Sequence, residues 1–165
     1  MTEPIRPPEL STDMDFDGES FAALYTTTVT VTGGTAAHGR ACGRARSDDG
    51  VLDLDLRMPA ELGGDGCGTN PEQLFAAGLA ACFHGALSLV ARQAALDPAA
   101  ISVEATVVFG RDPEDGGYEL HVDLVVRWPG VSPGIAAPLL ELADSLCPYA
   151  RIALHGTPTT ITLAS

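Results

Sequence analysis

Apolar and polar residues alternate or recur along most of the chain, and the period changes from segment to segment. Leu24–Thr32, LYTTTVTVT, is rich in β-branched residues and predicts a strand that Gly33-Gly34 ends. Val51–Leu56, VLDLDL, alternates apolar and acidic positions as a half-buried strand does. A glycine-rich loop, ELGGDGCGTN, then leads into NPEQLFAAGLAACFHGAL, where the period lengthens. Asn70 is a suitable helix N-cap, Pro71 suits the first helical position, and Gln73 stands at the third, as in a capping box. The apolar face reads Phe75, Leu79, Cys82, Phe83, Ala86, Leu87 and Val90, and the helix ends before Asp97-Pro98. Ile101–Gly110 and Tyr118–Trp128 predict two further strands joined by the turn PEDGG. A second helix runs to about Leu146 with Leu139, Leu142, Ala143 and Leu146 on one face, and Pro138 either starts its regular part or kinks it. Thr159–Ala164, TTITLA, predicts a last strand. The order β-β-α-β-β-α-β is that of an α/β protein in which antiparallel hairpins flank one unusually apolar helix.

Length and charge narrow this picture. The chain has 165 residues, enough to bury a core without staples, and reads as one domain over residues 21–165. Residues 1–20 carry six acids, one arginine and three prolines, with no apolar stretch of the kind a signal peptide needs. They read as a solvated, disordered acidic arm. Leu74–Ala91 is long enough to suggest a membrane span, but His84, Ser88 and two glycines favour a buried core helix. Twenty-two acids against nine bases give a net charge of −13, which disfavours nucleic acid and anionic lipid surfaces as partners. A neutral or apolar small molecule meets no such penalty.

The chemistry lies with the thiols. Lacking an export signal, the chain is expected in a reducing cytoplasm, where four cysteines (Cys42, Cys67, Cys82 and Cys147) point to metal, redox chemistry or packing. No C-x2-C pair occurs and the histidines are scattered, so no metal site is expected. Free cysteine packs like a small hydrophobe, and an apolar helix would raise the pKa of Cys82 and leave it inert unless a positive charge lies near. Arg40, Arg44 and Arg46 cluster in GRACGRARSDDG, which on pattern alone is a solvated loop before a strand. Cys147, before Pro148 at a helix end, is either a core residue or a thiol placed to reach another sulfur.

NPEQLFAAGLAACFHGAL and LCPYARIALHG resemble the two signature segments of the organic hydroperoxide resistance (Ohr) proteins of the OsmC/Ohr superfamily. LYTTTVTVTGG and SDDGVLDLDLRMPAELGG resemble the N-terminal hairpin of that family, so the match runs from about Leu24 to the C-terminus. The resemblance implies antiparallel hairpins around a long buried central helix in an intertwined homodimer. It also implies a thiol peroxidase that reduces organic hydroperoxides to alcohols, needs no cofactor, and is recharged by dihydrolipoyl groups. Residue by residue, Cys82 matches the peroxidatic cysteine, Cys147 the resolving one, and Glu72 the carboxylate that holds the catalytic arginine. Arg40 in HGRACG is the match for that arginine, with Arg44 second. Phe75, Leu79 and Phe83 would supply apolar surroundings suited to alkyl or lipid peroxides. The departures are a longer arginine turn, the acidic arm, His84 in place of an apolar residue, and the extra thiols Cys42 and Cys67.

Helix geometry supports the dimer expectation. Ten residues of an unbroken helix put Glu72 and Cys82 about 15 Å apart along the axis and roughly 80° apart around it. An arginine held by Glu72 would therefore reach a Cys82 on an antiparallel second copy more readily than its own. Three other readings compete: an OsmC-type enzyme of different peroxide preference, a cysteine-dependent acyl-transfer or hydrolytic enzyme, and a non-enzymatic binder of apolar ligands. No histidine stands in a position that argues for the base of an acyl-transfer enzyme.

Overall fold

The computed structural model describes residues 18–34 and 42–164. Most of the acidic arm, and Arg40, lie outside these residues. The described chain forms two units, one up to Leu74 and one from Phe75 onward.

The first unit is a three-stranded antiparallel sheet in the order β1 (Val29–Thr32), β2 (Gly43–Ser47), β3 (Asp53–Leu56). β2 was not anticipated as a strand, because its sequence, GRARS, carries two arginines in five residues. Those arginines face acids: Arg44 lies opposite Asp55 and Arg46 opposite Asp53, so opposite charges line the exposed cross-strand positions. Gly43 is held at φ +124°, and a Cβ there would run into the Thr32 carbonyl oxygen, so only glycine lets β1 and β2 close at that end. Beyond β3, Thr69 returns beside the strand. The Arg57 N–H donates to Thr69 O at 2.8 Å and the Thr69 N–H to Asp55 O at 3.1 Å.

That return sets the start of α1 (Pro71–Gln93). The expected cap forms, with Asn70 Oδ1 accepting from the Gln73 N–H at 2.9 Å. The Gln73 side chain does not close the box on Asn70 but takes the Thr69 hydroxyl at 2.9 Å.

In the second unit α1 packs with β4 (Ser102–Arg111), β5 (Tyr118–Arg127), α2 (Pro133–Leu146) and α3 (Pro148–His155). α1 is long and apolar enough by composition to cross a membrane. Instead its Leu79, Phe83, Leu87, Val90 and Ala91 are buried, at the helical spacing expected of a core stripe. Phe83, Leu87, Val90 and Ala91 form one cluster with Ile101, Ala143, Cys147 and Ala150. β4 and β5 pair over ten residues, and Val103, Ala105 and Val107 alternate with exposed Ser102, Glu104 and Thr106. Val103, Leu124 and Val126 add to the core cluster. At the end of α1, the Leu96 N–H reaches Ala91 O at 2.8 Å and the Ala95 N–H reaches Arg92 O at 3.0 Å. This is a Schellman closure with Ala95 at φ +57°, where glycine is usual.

Two expectations need correction and one unassigned segment gains an element. The first strand begins at Val29 rather than Leu24. Residues 148–155, given no element by the sequence reading, form α3. Thr159–Ala164 is not a strand: it has no ladder partner among the described residues, and Ile161 and Leu163 are almost fully exposed. The β-propensity of TTITLA is real, but propensity alone does not make a strand, and among the described residues this segment pairs with no sheet edge.

Candidate active site

Cys82 projects from the middle of α1, and Cys147 sits at the junction of α2 and α3. The junction has a local cause. A residue before proline is pushed out of the helical region, and Cys147 accordingly has φ −77° and ψ 111°. It therefore ends α2, donating its N–H to Ala143 O at 2.9 Å, while Pro148 occupies the first position of α3, where its missing N–H costs nothing. The Cys147 sulfur serves as the N-cap of α3 and accepts from the Ala150 N–H at 3.5 Å. One residue thus closes one helix and opens the next, and it is completely buried.

This arrangement sets the two sulfurs 3.1 Å apart, with the Cys147 thiol donating to Cys82 Sγ. Both thiols are free. A disulfide requires about 2.05 Å, so bonding takes a shift of only about 1 Å. Burial pushes the Cys82 thiol up to about 11, the neighbouring Cys147 thiol adds to the rise, and the Tyr149 main-chain N–H opposes it. At neutral pH such a thiol is protonated, so a thiolate at this position calls for a cation.

Of the arginines expected to supply one, Arg40 lies outside the described residues. Arg44 is on the exposed face of β2, donating to Asp53 with Asp55 beside it, and both carboxylates hold its charge. Glu72 is half-buried in the first turn of α1, ten residues before Cys82 on an unbroken helix. Phe75 is half-buried, whereas Leu79 and Phe83 are buried, Phe83 within the core cluster. His84 is engaged with the Ile101 carbonyl at 3.2 Å. Cys42 and Cys67 belong to the first unit, and Cys67 Sγ reaches only Asp65 O, at 3.3 Å within its own turn. Among the described residues no group of three or more histidine, cysteine or acidic side chains could hold a metal ion.

Sequence reasoning missed the N-terminus of α3 as part of the site. The signal was present in Cys147-Pro148, since a polarisable side chain followed by proline is a cap followed by a first helical residue.

Residues 63–162 match the OsmC-like protein family. The chain is 43% identical over 143 residues to an organic hydroperoxide resistance protein of Xanthomonas axonopodis pv. citri (strain 306), covering 86% of this chain and 95% of that one. A crystal structure of an organic hydroperoxide resistance protein from Legionella pneumophila superposes with a TM-score of 0.71 at 41% identity, covering 82% of this chain and 93% of that one. The structure of OhrB of Bacillus subtilis gives 0.68 at 43% identity, covering 81% and 93%.

Proposed function

The chain belongs to the OsmC family, among the organic hydroperoxide resistance proteins, and from that premise we propose that it is a cysteine peroxidase of alkyl or lipid hydroperoxides recharged by dihydrolipoyl groups. The observation that carries this reading is the Cys82–Cys147 pair, two free thiols at 3.1 Å with one fully buried. The Cys82 thiolate attacks the distal oxygen of the hydroperoxide. The O–O bond breaks, Cys82 becomes a sulfenic acid, and the departing alkoxide takes a proton to leave as the alcohol. The Cys147 thiol then condenses with the sulfenic acid, forming the S–S bond and releasing water. A dithiol reopens that disulfide by two exchange steps and leaves oxidised as its own cyclic disulfide.

Arg40 is assigned the guanidinium that stabilises both the thiolate and the charge growing on the leaving oxygen. Glu72 is assigned to orient it through paired hydrogen bonds. Arg44, already held by Asp53 and Asp55, is the weaker choice. Phe75, Leu79 and Phe83 surround this stretch of α1 with apolar side chains, which favours alkyl chains over hydrogen peroxide. The setting is a reducing cytoplasm, where a dithiol reductant is available.

The working form is a homodimer with each site built from both chains. In support, Phe21, Tyr25, Ile161 and Leu163 are strongly exposed in the single chain, a large apolar surface for a lone soluble protein. The test is consumption of t-butyl or cumene hydroperoxide with dihydrolipoamide, thioredoxin and glutathione compared. Fast turnover with dihydrolipoamide alone supports the reading, and no turnover with any of them overturns it. Mixing Cys82→Ser with Glu72→Ala chains then tests the shared site. Refolded heterodimers should regain about half the activity, since one of two sites keeps both groups, and inactive heterodimers would assign Glu72 to its own chain's cysteine.

A further inference from the structure

α1 contains two interior glycines, and they differ. A glycine inside a helix is unfavourable relative to alanine, so each asks for a reason. At Gly85 an added Cβ would meet nothing within 4 Å. At Gly78 it would stand 2.8 Å from Cε2 of Tyr149, with Cδ2 and Cζ of the same ring at 3.7 and 3.8 Å. The aromatic ring of Tyr149 therefore lies directly on the bare backbone of Gly78.

Gly78 and Cys82 are four residues apart, one turn along the same face of α1. Tyr149 is the second residue of α3, and its N–H is one of the donors that a helix leaves without an internal partner. The next N–H, that of Ala150, is given to Cys147 Sγ. The Tyr149 main-chain N–H is the group that opposes the rise in the Cys82 pKa. Two consecutive main-chain donors at the start of α3 thus act on the paired sulfurs, and the Tyr149 ring fills the space beside Gly78.

We infer that Gly78 is a positioning residue for the peroxidatic thiol: the space it leaves admits the Tyr149 ring, and a side chain there would push α3 back and take the Tyr149 main-chain N–H away from Cys82. The donor favours the thiolate over the thiol, as donors at a helix N-terminus do. Gly78 touches neither peroxide nor sulfur, and its effect passes through Tyr149. The inference rests on the reading of Cys82 as the reactive thiol, but it can be measured without any peroxide.

The experiment follows iodoacetamide alkylation of Cys82 in the reduced full-length protein across pH, read at the Cys82 peptide by mass spectrometry. Wild type is compared with Gly78→Ala, Gly85→Ala and the double variant Gly78→Ala/Tyr149→Ala. In the double variant the obstructing ring is gone and the main-chain donor is kept. Gly78→Ala should move the midpoint of the alkylation profile upward by about one pH unit, slowing the reaction near neutrality about tenfold. Gly85→Ala should leave the profile in place, and the double variant should recover most of the loss. A Gly78→Ala profile that overlays wild type overturns the inference, as does a double variant no faster than the single one. The second comparison holds even if Gly78→Ala folds poorly. If wild type shows no peroxidase turnover while the midpoint shifts as expected, the functional reading fails and the positioning role stands.

Discussion

Cys82 and Cys147 are carried by helices that hold their sulfurs 3.1 Å apart, whereas Cys42 and Cys67 lie in the connections around the small sheet of the first unit. Cys147 is fully buried, caps two helices and receives a main-chain donor. Cys67 is exposed, and its sulfur meets the carbonyl of Asp65 two residues away. Composition is the same in the two pairs, two free thiols each. What differs is the scaffold. A helix fixes where a sulfur stands and aims donors at it, while a glycine-rich turn fixes little beyond its own backbone. Reactivity of a thiol is thus a property of its supporting elements.

The sharpest way to break this comparison is to remove one thiol at a time. Cys82→Ser should abolish peroxide consumption outright. Cys147→Ser should block turnover while leaving a single round of Cys82 oxidation, seen as sulfenic acid by mass spectrometry. Full turnover by either variant would end the assignment.

Next in size is the arginine. Arg40→Gln should lower kcat by about 10²–10³-fold, the usual cost of losing a donor to a developing oxyanion, while Arg44→Gln should cost little. The pH dependence has a definite sign. Burial sets the Cys82 thiol near 11, and a cation lowers that value by favouring the thiolate. The wild-type midpoint for Cys82 alkylation should therefore lie below 11, and Arg40→Gln should raise it. An unchanged midpoint in Arg40→Gln, with a raised one in Arg44→Gln, would reverse the two roles.

Smaller still is a change far from the sulfurs. Ala95 adopts φ +57° at the end of α1, a conformation that costs an L-residue about 1–2 kcal/mol and glycine little. Ala95→Gly should raise the unfolding free energy by about 1 kcal/mol in urea titration without altering the peroxidase rate. At the bottom of the scale, Cys42→Ala/Cys67→Ala should leave the dihydrolipoamide-dependent rate within error. A large loss would mean the resolving thiol is one of these two.

Much of this was readable from sequence because the strongest signals are local. The Asn70 cap, the stripe from Leu79 to Val90 and the ten-residue hairpin strands each announce themselves over a single element. β2 was hidden because the acids that match its arginines lie on the facing strand, which no single-strand pattern contains. TTITLA failed in the opposite direction, having the composition of a strand with no paired neighbour among the described residues. The pairing of Cys82 with Cys147 came from a family resemblance, since nothing local relates residues 65 positions apart. The ring seat at Gly78 is invisible to pattern altogether, because it depends on where α3 comes to rest.

The double cap at Cys147 also has a mechanical meaning. When its sulfur bonds to Cys82, three helices are stitched at one point and a stretch of 65 positions becomes a covalent loop. Loop-closure entropy for a ring of that size is worth about 4 kcal/mol against unfolding. Each reduction would release that restraint at the end of one helix and the start of another. On the proposed cycle the protein alternates between a tethered and an untethered state, and its resistance to heat and protease would record how recently it met a peroxide.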